Sequence, residues 1–153
     1  MNVEKLMSRT VKTCSPEHTL DCAARNMWEG DCGVVPVVDP NGRVVGMITD
    51  RDICIAAYTQ SKRLNEIPIS SIGLKPVVSV RPNDSARTAE TLMQKHQLRR
   101  LAVVGEGDRL VGVLSLSDLA RGAGRYPRDL PSDEIATTLA AIGERRRAAA
   151  ART

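Results

Sequence analysis

Gly46-Met47-Ile48-Thr49-Asp50-Arg51-Asp52 and Gly112-Val113-Leu114-Ser115-Leu116-Ser117-Asp118 are one phrase written twice, 66 residues apart. In each copy a hydroxyl residue follows the glycine by three positions and an aspartate follows it by six. Sliding residues 3–57 by 66 positions onto 69–123 needs no gap and gives eleven identities in 55, among them Val11/Val77, Pro16/Pro82, Arg43/Arg109 and Val45/Val111. Ordinary composition would give roughly four. Repeats of about 55 residues would each be marginal alone. The reading is therefore one folding unit with its chemistry between two similar halves.

Outward from the phrase, each copy reads strand, helix, strand, strand, helix. Val11-Lys12-Thr13 is short and extended and ends at Ser15-Pro16, since a residue before proline is kept out of the helical region. Thr19 is the expected cap of a helix whose Leu20, Ala23, Ala24, Met27 and Trp28 share one face, and Gly30-Asp31 ends it. Val34–Asp39 and Arg43–Ile48 flank a Pro40-Asn41-Gly42 turn, and a helix begins near Asp50–Asp52. The second copy runs Val77–Val80, a Ser85-capped helix through His96, strands Leu101–Val104 and Arg109–Leu114, then a helix from Ser117-Asp118. Residues 58–68 read as a polar connection and 125–131 as a loop after Gly122-Ala123-Gly124. Ser132 or Asp133 caps a last helix, with Arg145–Arg147 at its negative end. The expected division is repeat 1 over 1–60, a linker over 61–68, repeat 2 over 69–124 and a C-terminal loop, helix and basic tail over 125–153. The fold class is α/β (α+β): two β-α-β-β-α repeats, each burying its sheet face against its twin, plus the C-terminal helix.

Composition narrows the function classes. With no Phe, one Trp (Trp28) and two Tyr (Tyr58, Tyr126), the core must be aliphatic. Of the +4 net charge, residues 144–153 carry +3, which reads as a solvated helix end and weighs against nucleic acid. No apolar run is long enough to span a bilayer, and Met1-Asn2-Val3-Glu4-Lys5 lacks the pattern of a signal peptide, so the expected location is cytoplasmic. Cys14, Cys22, Cys32 and Cys54 contain no Cys-x-x-Cys, and His18 and His96 sit in no zinc-like pattern. The expectation is reduced thiols and no metal, with a redox-labile pair or an adventitious metal site as the alternatives. No nucleophile elbow or P-loop is present, so no catalytic residue is assigned.

Gly-x-x-Thr/Ser-x-x-Asp at a strand-to-helix junction suits a ribose-phosphate. Glycine permits close approach of a backbone or ligand. A hydroxyl at the strand end can donate to phosphate or ribose. A carboxylate in the first helical turn can accept both hydrogens of a vicinal diol, and the helix's free N–H groups can meet a phosphate. An ordinary helix cap would use the same residue types, but two copies in register favour the ligand reading.

With these motifs the chain resembles a tandem pair of cystathionine-β-synthase (CBS) domains, a Bateman module of the small stand-alone kind common in bacteria and archaea, over residues 3–123. Val34-Val35-Pro36-Val37-Val38-Asp39, Gly42-Arg43-Val44-Val45-Gly46 and Leu98-Arg99-Arg100-Leu101 carry the same likeness. The resemblance implies two repeats packed by pseudo-twofold symmetry and a non-catalytic sensor with two clefts. AMP, ADP, ATP or S-adenosylmethionine would occupy them, with no cofactor required. Carried onto this sequence, the first cleft would use Thr49 and Asp52, with Val11, Lys12, Thr13, Cys32, Gly33 and Val34 around the base. The second would use Ser115 and Asp118, with Val77, Val78, Ser79, Leu98, Arg99 and Arg100. Arg100, Arg99 and Arg51 would neutralise phosphate. With no aromatic residue near either motif in sequence, aliphatic packing and backbone hydrogen bonds would hold the base. The resemblance also implies a homodimer and an unidentified regulated protein. The alternative is a ligand-free dimeric scaffold that docks a partner through its C-terminal helix.

Overall fold

The computed structural model describes residues 1–145. Arg146, Arg147 and Arg152 of the expected basic tail lie outside the described residues. Repeat 1 contributes α1 (Leu20–Gly30), β1 (Val34–Val38), β2 (Val44–Thr49) and α2 (Asp50–Gln60). Repeat 2 contributes β3 (Ser79–Val80), α3 (Ala86–His96), β4 (Arg100–Val104), β5 (Leu110–Ser115) and α4 (Leu116–Arg125), and α5 (Ser132–Gly143) follows. The two hairpins match residue for residue: Val37 pairs with Gly46 and Val103 with Gly112, and both ladders shift register at the next residue. Gly42 supplies the positive φ, +79°, of the first hairpin turn. Arg43 bridges Arg109, its own counterpart, which places a pseudo-twofold axis between them.

The expected strand at Val11–Thr13 is not formed. In its place stands one parallel bridge: Cys14 N–H donates to Pro36 O at 3.0 Å and Val38 N–H donates to Cys14 O at 2.9 Å. Extending this ladder backward requires an N–H at position 36, and proline has none. In the second repeat Ala102 supplies it, so Ser79 and Val80 both pair there, with Ala102 and Val103. Val77 and Val78 precede that strand as irregular backbone.

Each repeat's lead-in crosses onto the other. Val3 and Met7 are buried with the repeat 2 core around Met93, Leu101, Leu114 and Leu119. Ile67 and Ile69 are buried with the repeat 1 core around Leu20, Val35, Val37 and Ile48. Two bridges, Asn2 with Ser85 and Thr19 with Pro68, mark the same exchange. The stretch read as a polar connection thus buries Ile67 completely.

Other helix ends depart from expectation. Thr19 occupies the cap position of α1 but its hydroxyl bonds Asp21 instead of the helix. Pro131, not Ser132 or Asp133, precedes α5, and no side chain caps it. α4 runs through Gly122 and Gly124 to Arg125. A Cβ on Gly122 would lie 2.6 Å from Leu6, so the glycine is there for packing. Arg145 stands two residues beyond the end of α5.

α5 covers α3. Gln94 Nε2 donates to Thr138 Oγ1 at 2.8 Å, and Gln97 Nε2 to Glu144 O at 2.9 Å. Under this cover Glu90 is buried, and its Oε1 has no hydrogen-bond partner among the described residues. Burial first, and then the charge of Glu134, raises the Glu90 carboxyl above the ordinary range. Across the window between the ordinary value and the raised one, the folded chain binds more protons than the unfolded chain, so stability falls as pH rises. Glu90→Gln is expected to stabilise the protein by about 1 kcal/mol at neutral pH, with the gain shrinking on acidification. Thermal melts of both proteins across pH check this.

Candidate functional site

Both copies of the phrase fold into reciprocal capping boxes at a strand-to-helix junction. At α2, Asp52 N–H donates to Thr49 Oγ1 at 3.2 Å and Thr49 N–H donates to Asp52 Oδ2 at 2.9 Å. At α4, Asp118 N–H donates to Ser115 Oγ at 3.1 Å. Ser115 N–H and Oγ–H both reach Asp118 Oδ2, at 2.8 and 2.6 Å. The copies then diverge. Asp118 is buried and its Oδ1 is paired with Arg121, whereas Asp52 is half-buried and its Oδ1 has no protein partner among the described residues. The glycines serve the crossing lead-ins: a Cβ on Gly46 would lie 2.8 Å from Leu74, and one on Gly112 would lie 2.8 Å from Ser8 O.

A cleft of ≈ 480 Å³ opens beside the first box and spans both repeats. Its floor is Gly33, whose carbonyl accepts from Asp50 N–H at 3.2 Å. A Cβ there would lie 3.1 Å from Asp50 Oδ2 and 3.3 Å from Arg100 Nη2, so glycine keeps this space open. Asp31 and Cys32 line it together with Met27 and Trp28 of α1. Trp28 is 88% exposed. The expectation of no aromatic residue near the motif is therefore corrected: α1 carries the lone indole to the cleft. Asp50 is also a lining residue that the motif's spacing did not single out.

The expected site residues are distributed differently from their assignment. Cys32 and Gly33 share this cleft with Arg100, which had been placed with the second motif. Val11 and Thr13 line a separate hollow of ≈ 260 Å³ on the seam between repeats, with Arg9, Val38, Gly42, Leu110, Val111 and Gly112. Lys12 pairs with Glu29 at 2.7 Å on the surface. Val34 is buried in β1, Arg51 is exposed, and Val77, Val78, Ser79 and Leu98 are half-buried. By the same 66-residue relation, Arg99 stands where Gly33 does, Leu116 where Asp50 does, and Val34 where Arg100 does. Leu116 N–H donates to Arg99 O at 2.9 Å, the counterpart of the Asp50–Gly33 bond. The two junctions share a backbone and differ in charge.

A second constellation lies at the foot of α1. Cys14, His18 and Cys22 bring their ligand atoms within 4.8 Å of one another. Sequence spacing assigned them to no metal pattern. The turn at Ser15–His18 folds His18 Nδ1 back to 3.5 Å from Cys22 Sγ, which residue spacing alone does not reveal. Burial, reinforced by the Cys22 neighbour, pushes the Cys14 thiol up to about 12.

Comparison with known proteins gives a consistent picture. The CBS domain profile matches residues 3–58 and 69–124. The chain is similar to the CBS domain-containing protein YhcV of Bacillus subtilis, 40% identical over 119 residues, which cover 78% of this chain and 83% of that one. Among solved structures, Hypoxic Response Protein I with two coordinated zinc ions matches with TM-score 0.72 and 31% identity, covering 79% of this chain and 98% of that one. A CBS domain protein from Pyrobaculum aerophilum complexed with AMP matches with TM-score 0.70 and 25% identity, covering 78% and 90%.

Proposed function

Since this chain belongs to the CBS-domain family, we propose that it is a non-catalytic regulatory module that senses an adenosine-containing small molecule. The observation that carries this is the cleft joining both repeats at Gly33, whose lining includes the exposed Trp28 and Asp50, the residue that follows Thr49 of the first capping box. The indole face stacks the adenine, the space over Gly33 admits it, and the free Oδ1 of Asp52 accepts from the ribose hydroxyls. The AMP complex of the Pyrobaculum relative supports this class of ligand. Asp31 and Asp50 outnumber Arg100 in the cleft lining. That balance favours S-adenosylmethionine or AMP over ATP, whose polyphosphate would meet two carboxylates.

Trp28 is the one tryptophan, so its fluorescence reports on the cleft directly. Titration with AMP, ADP, ATP and S-adenosylmethionine is expected to change its emission, with ATP the weakest. Asp52→Ala is expected to weaken the best ligand by about tenfold, the loss of one charge-assisted hydrogen bond. If no adenosyl compound alters either the emission or the melting temperature, the reading fails.

A second reading is favoured by one observation. Trp28, Ile55 and Tyr58 leave apolar surface exposed on α1 and α2, the kind of face a second copy covers. In that case Trp28 emission would change with protein concentration instead of ligand, and light scattering would report a homodimer.

A further inference from the structure

Three side chains converge where α1 meets its lead-in, apart from both clefts. Cys14 Sγ lies 3.2 Å from Cys22 Sγ, and Cys22 Sγ lies 3.5 Å from His18 Nδ1. We propose that Cys14, His18 and Cys22 bind one zinc ion, with the fourth position open to water or an exogenous ligand.

The geometry is close to what zinc needs. With Zn–S near 2.3 Å and Zn–N near 2.0 Å in a tetrahedron, ligand atoms stand roughly 3.5–3.8 Å apart. The Cys22–His18 separation already meets this, and the two sulfurs need to part by about half an ångström. Two thiolates and an imidazole are a soft donor set that selects zinc over magnesium or calcium. Ser15 N–H donates to His18 Nδ1 at 3.0 Å, so the ring proton sits on Nε2 and the Nδ1 lone pair is the one in the cluster. Ligation exchanges that hydrogen bond for the metal. Asn26 Nδ2 lies 3.5 Å from Cys14 Sγ and 3.2 Å from Thr13 O, which fixes its amide as a donor to the sulfur from behind.

The site has a closed back and an open front. Cys14 is buried, Cys22 half-buried and His18 exposed, giving the ion a path from solvent. The counterparts in the second repeat are Val80, Asp84 and Thr88, so the donor set exists once per chain. The loop between the ligands also receives the crossing lead-in: Ile69 N–H donates to His18 O at 2.9 Å and Ser70 N–H to Pro16 O at 3.1 Å. Zinc here would lock the loop that seats repeat 2 on repeat 1. Metal occupancy would then set the stiffness of the inter-repeat seam.

The test uses full-length protein, reduced and stripped of metal, titrated with Zn²⁺ alone and in parallel with Co²⁺. The expected result is one ion per chain, release of thiol protons on binding, and a sulfur-to-cobalt charge-transfer absorption. Cys22→Ser and His18→Ala should each lower zinc affinity by at least about 100-fold, and Asn26→Ala by about tenfold. Neither Cys22 nor His18 is buried, so both variants should melt with the parent in chelator, which separates lost binding from lost folding. Cys32→Ser with Cys54→Ser should bind as the parent does. Zinc bound equally well by the Cys22→Ser and His18→Ala proteins would overturn the proposal. So would loss of binding on replacing Cys32 and Cys54, or a reduced protein that takes up no ion.

Discussion

Gly112→Ala is expected to destabilise the protein by about 2–3 kcal/mol, a fall in melting temperature of roughly 5–10 °C for a chain of this size. The added Cβ would lie 2.8 Å from Ser8 O and 2.9 Å from Met7 Sδ. Neither contact is easily relieved. Ser8 N–H donates to Val113 O at 2.9 Å and Val113 N–H donates to Ser8 O at 3.0 Å, so the crossing backbone cannot retreat without breaking both bonds. Met7 is buried in the repeat 2 core, so its sulfur can move only by displacing core neighbours. Gly46→Ala provides the internal control. Its Cβ would meet the Leu74 side chain, Cδ1 at 2.8, Cδ2 at 2.9 and Cγ at 3.1 Å, and Leu74 is half-buried, a flexible side chain and not a hydrogen-bonded backbone. That variant should lose about 1 kcal/mol or less. Equal losses in the two would mean that the hydrogen-bonded Ser8 backbone is no harder to displace than the Leu74 side chain.

Much of this architecture is legible in the sequence because it is repeated. The 66-residue offset carries the two hairpins, which rest on local pattern, whereas their shared bulge and the Arg43–Arg109 bridge emerge only in the structure. The crossing of the lead-ins was not legible. Val3 and Ile69 have the composition of any core residue, and nothing local says which core receives them. Pro36 against Ala102 is a single difference between the copies, yet it decides whether the parallel ladder has one pair or two, because one N–H is missing. The site divides the same way. Thr49, Asp52, Ser115 and Asp118 could be found from spacing, since a capping box needs three-residue separation. The meeting of Trp28, Gly33, Asp50 and Arg100 depends on where α1 and β4 lie in space, and so does the Cys14–His18–Cys22 cluster.

Replacing the two motif aspartates should separate cap strength from ligand binding. Asp118→Ala is expected to cost about 3 kcal/mol and Asp52→Ala about 1 kcal/mol. Asp118 is 8% exposed and accepts Ser115 N–H, Ser115 Oγ–H and an Arg121 N–H. Its removal leaves the N–H and hydroxyl of half-buried Ser115 without their acceptor. Asp52 accepts from Thr49 N–H alone, at 2.9 Å, in a half-buried position where water can replace it. The order reverses for an adenosyl ligand. Asp52 keeps one oxygen free for a ribose, whereas both oxygens of Asp118 are already occupied, so only Asp52→Ala should reduce affinity at the Trp28 cleft. Thermal melts and Trp28 titrations on the same two variants measure both quantities. A ligand loss that follows Asp118 instead would move the binding site to the second motif, where Arg99 replaces Gly33 and the local charge favours phosphate.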